Sequence, residues 1–274
     1  MDNKIILVCD GTIDGIFTAI FDGFVIRNKR YGQRGEYYRD NIQICVEPDY
    51  NEELFAEYIP IDTDYEKSFK TAASIRKKLG EEVYMLVIRA LCHYETDRAT
   101  IVFGFLVRGF KAGSRVLEML GDKYVICAME LSRKALNEAH LFKGFLRFKD
   151  IDSTLYGIIS PKCDVIPLIG DHFDERYPNE NWIIYDKKRK KAAIHKKYHQ
   201  WIIVENDELN GEYLEEIYEK ADDYTHMWKT FYEALYTKER KNEKCQNNLI
   251  PKWYRKNMTE FQIRNEQHVD DSRI

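Results

Sequence analysis

Two histidines and two arginines near the middle of the chain have the chemistry of a site that moves protons and holds phosphate. They are His140, Arg147, His172 and Arg176. Imidazole is a general acid or base near neutral pH, and guanidinium binds phosphate oxygens in pairs. His172 and Arg176 are four residues apart in a helical segment, so they face the same way. We expect the His140–Arg147 pair to meet them where two lobes join; a packed junction with a satisfied histidine is the alternative.

A second group of candidate residues combines bases, amides and aromatic rings near the C-terminus. Bases bind backbone phosphates, amides bind base edges or phosphate, and aromatic rings stack on bases. The group consists of Arg240, Lys241, Asn242, Lys252, Trp253, Tyr254, Arg255 and Lys256, with Lys187, Lys188 and Arg189 of a basic turn as a supplement. The net charge is −4, yet residues 187–197 carry seven bases and no acid. This segregation predicts a local nucleic-acid-binding face, with a solvated surface as the alternative.

The sequence gives no indication of a metal or another cofactor. Its six cysteines are scattered, without a Cys-x-x-Cys pair, and this pattern predicts reduced thiols. His195 and His199 are four apart in strands, where that spacing does not direct two imidazoles at one metal. The first residues lead into a strand-like run without a signal peptide, and no apolar run reaches ~18 residues. We therefore expect a cytoplasmic protein without a cofactor or a membrane span.

Hydrophobic periodicity predicts the elements that position these residues. A buried strand is predicted at residues 5–9, followed by a turn at 10–15 and a helix. The turn is interpreted as a helix cap, because it lacks the residues of a phosphate-binding loop. Further strands are expected at 42–46, 54–59, 156–160 and 165–169, and antiparallel strands at 182–185, 191–195 and 198–204. Helices are expected from Asp62 or Thr63 to Leu79, at 83–94, at 101–109, from Gly113 to Leu120, at 122–143 before Gly144, at 171–178, and from Gly211 onward.

These elements indicate an α+β protein built as one domain, residues 1–260, with a polar tail at 261–274. The N-terminal lobe, about 1–150, is mostly helical with a few strands. The C-terminal lobe, about 151–260, has antiparallel strands and a long helix. Pro251 interrupts the last helical stretch.

Four motifs, taken in order, resemble a bacterial family associated with DNA repair or DNA metabolism, whose domain is otherwise of unknown function. They are the turn at 10–15, Glu-Ala-His-Leu-Phe-Lys-Gly-Phe-Leu-Arg-Phe at 138–148, His172-Phe-x-x-Arg176-x-Pro178 with Trp-Ile-Ile-Tyr-Asp at 182–186, and Glu239-Arg240-x-Asn242 leading to Pro251-Lys-x-Tyr254-x-Lys256. The resemblance extends to about Glu260. Many members have a bulky aliphatic residue where this chain has Cys245, which affects a packing position.

The resemblance implies a role linked to DNA but brings no established reaction. Members are encoded beside a radical S-adenosylmethionine (SAM) protein that acts on DNA, and some are fused to a uracil-DNA glycosylase-like domain. The first hypothesis is therefore a DNA-binding accessory of a radical SAM enzyme, with a glycosylase-like protein as a further partner. The second is an enzyme acting on damaged DNA through His140, Arg147, His172 and Arg176. The third is a protein–protein adaptor without DNA contact.

Overall fold

A computed structural model describes residues 4–31, 41–48, 53–205, 211–219, 227, 230, 242–258 and 261. The chain divides into two compact units between Leu136 and Asn137, which precedes the junction expected near Asp150. We refer to these as the N-terminal and the C-terminal unit. Helices and two separate sheets make up the described residues, which confirms the predicted α+β class.

The N-terminal unit surrounds a three-stranded parallel sheet with the order β2-β1-β3. Its elements are β1 (Lys4–Cys9), α1 (Ile13–Tyr31), β2 (Ile42–Val46), β3 (Ala56–Pro60), α2 (Tyr65–Leu79), α3 (Glu81–Leu91), α4 (Arg98–Ala112), a 3-10 helix (Gly113–Glu118) and the first part of α5 (Lys123–Phe145). Strand β1 is central, and its residues from Ile5 to Cys9 are buried. A continuous apolar run is what a strand covered on both faces requires.

Local capping explains where the first helices of this unit begin and end. The Gly15 amide donates to the Thr12 hydroxyl at 2.9 Å, which confirms the predicted capped turn before α1. Helix α2 is capped by Asp64, whose carboxylate accepts from the amides of the first turn, rather than by Asp62 or Thr63 as expected. Gly80, with a φ of 94°, ends α2 as predicted.

Helix α4 contributes two polar contacts that fix the N-terminal unit. The Thr100 hydroxyl accepts from the Ile44 amide at 3.0 Å and donates to the Ile44 carbonyl at 2.9 Å, so it binds the backbone of strand β2. The buried Arg108 guanidinium lies 2.9 Å from the Asp122 carboxylate. It also lies 4.3 Å from the centre of the Tyr124 ring. These contacts tie α4 to the start of α5.

The C-terminal unit contains the last turns of α5 and a five-stranded mixed sheet, β4-β5-β6-β7-β8. Its elements are β4 (Phe148–Ile151), β5 (Thr154–Ile159), α6 (Ile166–Arg176), β6 (Asn181–Asp186), β7 (Lys191–His195), β8 (Ile202–Glu205), α7 (Gly211–Glu219), α8 (Glu243–Leu249) and a 3-10 helix (Tyr254–Asn257). Strands β5 and β6 are parallel and joined by α6, whereas the other neighbours are antiparallel.

The prediction of a strand at 165–169 is wrong. These residues form the first turn of α6, with Pro167 near its N-terminus. Ile166, Ile169 and Phe173 are buried at the three- and four-residue spacings of one helical face. A short apolar run satisfies both periods, so the run alone could not separate helix from strand.

Each face of this sheet packs against a helix. Phe173 of α6 lies 6.5 Å from Trp182 and 5.3 Å from Phe148, measured between ring centres. On the other face, Leu214 and Tyr218 of α7 form a buried cluster with Ile158, Tyr185 and Ala192. The layers therefore follow from the period-two alternation of the strands.

Two further expectations concern helix ends. Helix α5 continues through Gly144 to Phe145, so the prediction that Gly144 ends it is wrong; Gly144 is not among the residues with positive φ. Helix α7 begins at Gly211 as expected, but residues 220–226 and 231–241 lie outside the described residues. The same holds for residues 262–274 of the predicted tail. No helix in the described ranges is both long and apolar enough to cross a membrane.

Candidate functional site

His140, His172 and Arg176 lie within the C-terminal unit, His140 on α5 and the other two on α6, and the charges of His140 and Arg176 act on His172. His140 and Arg176 are exposed, whereas His172 is half-buried with its ring edge-on to Phe173 at 5.1 Å. Burial lowers the pKa of His172 below its usual 6.5, and the charges of Lys143, Arg176 and His140 lower it further against the opposing Glu175. His172 therefore lies in a positive field created by two helices.

Arg176 is oriented by its neighbour on the chain. Its Nε donates to the Tyr177 hydroxyl at 3.1 Å, and its guanidinium carbon lies 5.5 Å from the centre of the Tyr177 ring. Tyr177 packs in turn against Phe148 with 5.6 Å between ring centres. The arginine is thus aimed by an aromatic support while remaining exposed to solvent.

Arg147 contacts backbone carbonyl groups in the C-terminal unit. Its Nη1 donates to the carbonyl groups of Gly144 at 2.9 Å and Leu146 at 3.2 Å, at the end of α5. Such contacts satisfy carbonyls that a helix end leaves open. Lys143, which shares a helical face with His140, supplies a positive charge at His172 and was not among the predicted site residues. The i, i+3 spacing of His140 and Lys143 was the signal for it.

Charges of the basic turn at 187–190 are partly used inside the fold. Lys187 Nζ lies 2.5 Å from the Glu215 carboxylate, and Arg189 lies 2.9 Å from that of Asp186. Lys188 and Lys190 are exposed. The turn is therefore a weaker candidate for phosphate binding than its run of bases indicates.

Asp186, at the end of β6, is a fully buried charge that the sequence reading missed. It accepts from the Lys188 amide at 2.9 Å and the Arg189 amide at 3.3 Å. Burial raises the pKa of Asp186, against the lowering effect of the Arg189 guanidinium and the hydrogen bonds. In the sequence, Asp186 directly follows a predicted strand and precedes a basic run, and this position could have indicated a buried acid that pairs with one of the bases.

The loop between β5 and α6, residues 160–164, is held by contacts from residues distant in the sequence. The Glu138 carboxylate accepts from the Lys162 amide at 2.9 Å and the Cys163 amide at 2.7 Å. Arg189 donates to the carbonyl of Lys162. Trp253 Nε1 donates to the Ser160 carbonyl at 3.1 Å. The loop lies at the carboxyl ends of the one parallel strand pair described in this sheet, the edge where α/β sheets bind ligands.

Like Trp253, three other C-terminal candidates form internal contacts. Asn242 caps α8 by accepting from the Cys245 amide at 2.9 Å. The Tyr254 ring packs against Phe142 at 5.2 Å between ring centres, and its pKa is raised by burial and by Glu138 and Cys163. Arg255 donates to the Ile250 carbonyl at 3.0 Å and to Asn247 at 2.8 Å.

The remaining C-terminal candidates divide into exposed residues and residues that are not described. Lys252 is exposed, and 40% of the Trp253 surface is accessible. Lys162 Nζ lies 5.5 Å from the centre of the Trp253 ring. Arg240, Lys241 and the Lys256 side chain lie outside the described residues.

His195 and His199 each make their own contacts. Buried His195 lies between the Glu180 carbonyl, at 2.8 Å from Nδ1, and the Asp174 carboxylate, at 3.1 Å from Nε2, and stacks on Trp182. Exposed His199 contacts the Lys197 carbonyl. All six cysteines, each in the described part of the chain, are free thiols. Within that part, no three His, Cys, Asp or Glu side chains are grouped as metal ligands.

Comparison with known proteins gives a family without an assigned activity. No curated protein matches the sequence. The model of a family described as a domain of unknown function, DUF4130, matches residues 96–260. This range contains the basic residues around His172, the loop at 160–164 and Trp253. Because the match covers more than half of the chain, this protein belongs to the DUF4130 family.

Proposed function

We propose that this protein is a DNA-binding accessory of DNA repair or DNA metabolism that binds backbone phosphate through one group of side chains. The group consists of His140, Lys143, His172 and Arg176, and we call it the basic cluster. The observation that carries the proposal is the positive field on His172, to which Lys143 on α5 and Arg176 on α6 both contribute. These two cations lie on separate helices and oppose protonation of the His172 imidazole. A bound phosphate would be attracted to both cations and would offset their effect on His172.

Phosphate binding should change the protonation state of His172 in the basic cluster. Without an anion, the lowered pKa keeps the His172 imidazole neutral at physiological pH. A bound phosphate offsets the charges of Lys143 and Arg176 and stabilises the imidazolium, so the pKa of His172 rises. Linkage then requires DNA affinity to increase as the pH falls from the raised pKa of His172 in the complex to its lowered pKa in the free protein.

We propose a radical SAM protein as the partner, and a uracil-DNA glycosylase-like protein as a further partner. Support for both comes from the ordered motifs of the sequence, which resemble those of a family with these associations. In this arrangement the protein holds DNA, and the partner carries out the chemistry.

An enzyme acting on damaged DNA is the second candidate function. The observation in its favour is also the lowered pKa of His172, because a neutral imidazole can accept a proton at pH 7. His172 would be the general base, and Arg176 would hold the neighbouring phosphate. Strand cleavage or base release by the purified protein alone, lost in His172→Gln, would favour this candidate over the accessory role.

A salt titration of oligonucleotide binding tests the proposal. The test variant is Lys143→Gln with Arg176→Gln, and the matched control is Lys188→Gln with Lys190→Gln, which removes the same charge from exposed positions. The test variant should flatten the slope of log affinity against log salt by about 1.8 on duplex or about 1.4 on single strands, if each cation binds one phosphate. The control variant should change the slope less.

Two results would contradict the proposal. The first is a failure of the wild-type protein to bind either single-stranded or duplex DNA at low salt. That result would favour the hypothesis of a protein–protein adaptor. The second is a folded test variant with the wild-type salt slope. Independently, the NMR titration of His172 should show a higher pKa with an oligonucleotide bound than without it.

A further inference from the structure

We infer that Trp253 stacks on an unpaired DNA base, with Lys162 and Lys252 contacting the neighbouring phosphates. The inference rests on the proposed DNA binding and names its substrate class as single-stranded DNA. The three residues are called the stacking site. It is separate from the basic cluster in its residues and uses a different interaction, so each can be tested without the other.

Trp253 is an exposed residue whose indole is oriented by a hydrogen bond. Trp253 lies in the turn between α8 and the 3-10 helix at Tyr254–Asn257. Its Nε1 donates to the Ser160 carbonyl at 3.1 Å, which leaves 40% of the residue surface accessible. A tryptophan fixed by its polar edge presents apolar ring surface without first having to be ordered.

The residues around Trp253 support this fixed position. The next residue, Tyr254, points into the fold and packs between Phe142 and Phe145, at 5.2 and 5.7 Å between ring centres. Ser160, which accepts the indole hydrogen bond, begins the loop that Glu138 and Arg189 hold by its backbone. The Trp253 ring is thus held at its edge by Ser160 and through its backbone by the packing of Tyr254.

Positive charge near Trp253 indicates which ligand it takes. Lys162 Nζ lies over one face of the ring, 5.5 Å from its centre, and both Lys162 and the adjacent residue Lys252 are exposed. A cationic ligand, such as a quaternary ammonium group, would be repelled by two ammonium groups. A nucleotide satisfies both features, because its base stacks on the indole while its phosphates neutralise the lysines.

Stacking also distinguishes single strands from duplex. In a duplex each base face is covered by its neighbours, whereas an unpaired base can leave its stack and cover the indole. Every base has such a face, so the stacking site should be tolerant of sequence. The expected selectivity is for single-stranded over duplex DNA.

The experiment compares wild type with Trp253→Leu and Trp253→Phe, using a labelled oligothymidine and a labelled hairpin duplex. Trp253→Leu should weaken binding to the single strand by roughly 5- to 150-fold, corresponding to loss of one stacked base, and Trp253→Phe by less. Affinity for the duplex should change by less than about twofold. Lys143→Gln with Arg176→Gln should instead weaken binding to both oligonucleotides, since it removes phosphate contacts of the basic cluster.

A second measurement uses only wild-type protein, because Trp253→Leu could unfold by losing its bond to Ser160. A single strand containing 2-aminopurine should lose base fluorescence when the protein saturates it, through stacking on Trp253. Unchanged fluorescence at saturation overturns the inference, as does a folded Trp253→Leu that loses equally on both oligonucleotides or on neither. In these cases DNA binding itself stands. Absence of binding to both oligonucleotides overturns the proposed function and this inference together.

Discussion

Removing the Glu138 carboxylate should destabilise the protein by about 3 kcal/mol. Glu138 is buried, and it accepts from two backbone amides, of Lys162 and Cys163, at 2.9 and 2.7 Å. A hydrogen bond to a charged group contributes roughly 1.5–3 kcal/mol, and a buried donor left without a partner costs a similar amount. We take the lower value of this range for each of the two hydrogen bonds, about 3 kcal/mol together, because Lys162 is exposed and water can reach its amide. Glu138→Ala leaves both amides without the carboxylate, whereas Glu138→Gln keeps a neutral acceptor and should cost about half.

Thermal and urea unfolding of the purified variants measure this effect. At roughly 2–4 °C per kcal/mol for a domain of this size, Glu138→Ala should lower the Tm by about 6–12 °C. Glu130→Ala is the matched control, because Glu130 is exposed on the same helix. Its effect should stay within about 0.5 kcal/mol, as for surface positions in general.

The reasoning would be refuted if Glu138→Ala unfolded within about 0.5 kcal/mol of the Glu130→Ala control. That result would mean that the loop at 160–164 does not depend on the carboxylate. Equal losses for Glu138→Ala and Glu138→Gln would instead show that the loop needs both carboxylate oxygens, because glutamine replaces one of the two acceptors with an NH2 group that faces a backbone N–H. If Glu138→Ala remains folded, its loosened loop should also weaken single-strand binding, because Ser160 orients Trp253.

Two further predictions concern packing and a buried ion pair. Gly104→Ala should destabilise the protein by about 1–3 kcal/mol, because a Cβ there would lie 2.3 Å from the Tyr124 ring. Gly144→Ala should stabilise the protein by up to ~1 kcal/mol, because a Cβ there would meet nothing within 4 Å. Equal effects of the two substitutions in urea unfolding would contradict this contrast. Arg108→Met should destabilise the protein by about 3 kcal/mol, because it leaves Asp122 without its cation. The pKa of Asp122 is lowered in the fold, so the contribution of Asp122 to stability is present above its ordinary pKa of 3.8 and is lost as the pH falls through the lowered pKa. Arg108→Met should reduce this loss of stability in acid, and urea midpoints that fall with pH as in the wild type would contradict the prediction.

Local patterns were sufficient for much of the fold. The apolar run at 5–9 became the central strand β1, and Gly80 ended α2 with a positive φ. The α+β class followed from periodicity, because helical and strand periods place apolar residues on different faces. These features depend on residues close in sequence, and for that reason they could be predicted.

Features that depend on distant partners could not be predicted in the same way. The run at 165–169 is helical because α6 crosses between two parallel strands, and a parallel pairing leaves no short-range signal. Gly144 resembles a helix stop, yet the helix continues through it to Phe145. Asp186 and Glu138 resemble surface acids until the groups that they bind are known.

The candidate site shows the same limit at the level of single side chains. Tyr254 and Arg255 belong to the same basic and aromatic run as Lys252 and Trp253, and composition cannot divide the four. Phe142 decides the place of Tyr254, because it offers a ring at 5.2 Å; Arg255 is held by carbonyl and amide oxygens of its own segment. Lys252 and Trp253 are the exposed members of this run. A charge run therefore overstates a nucleic-acid interface, since part of its charge and aromatic surface is used to build the fold that presents the rest.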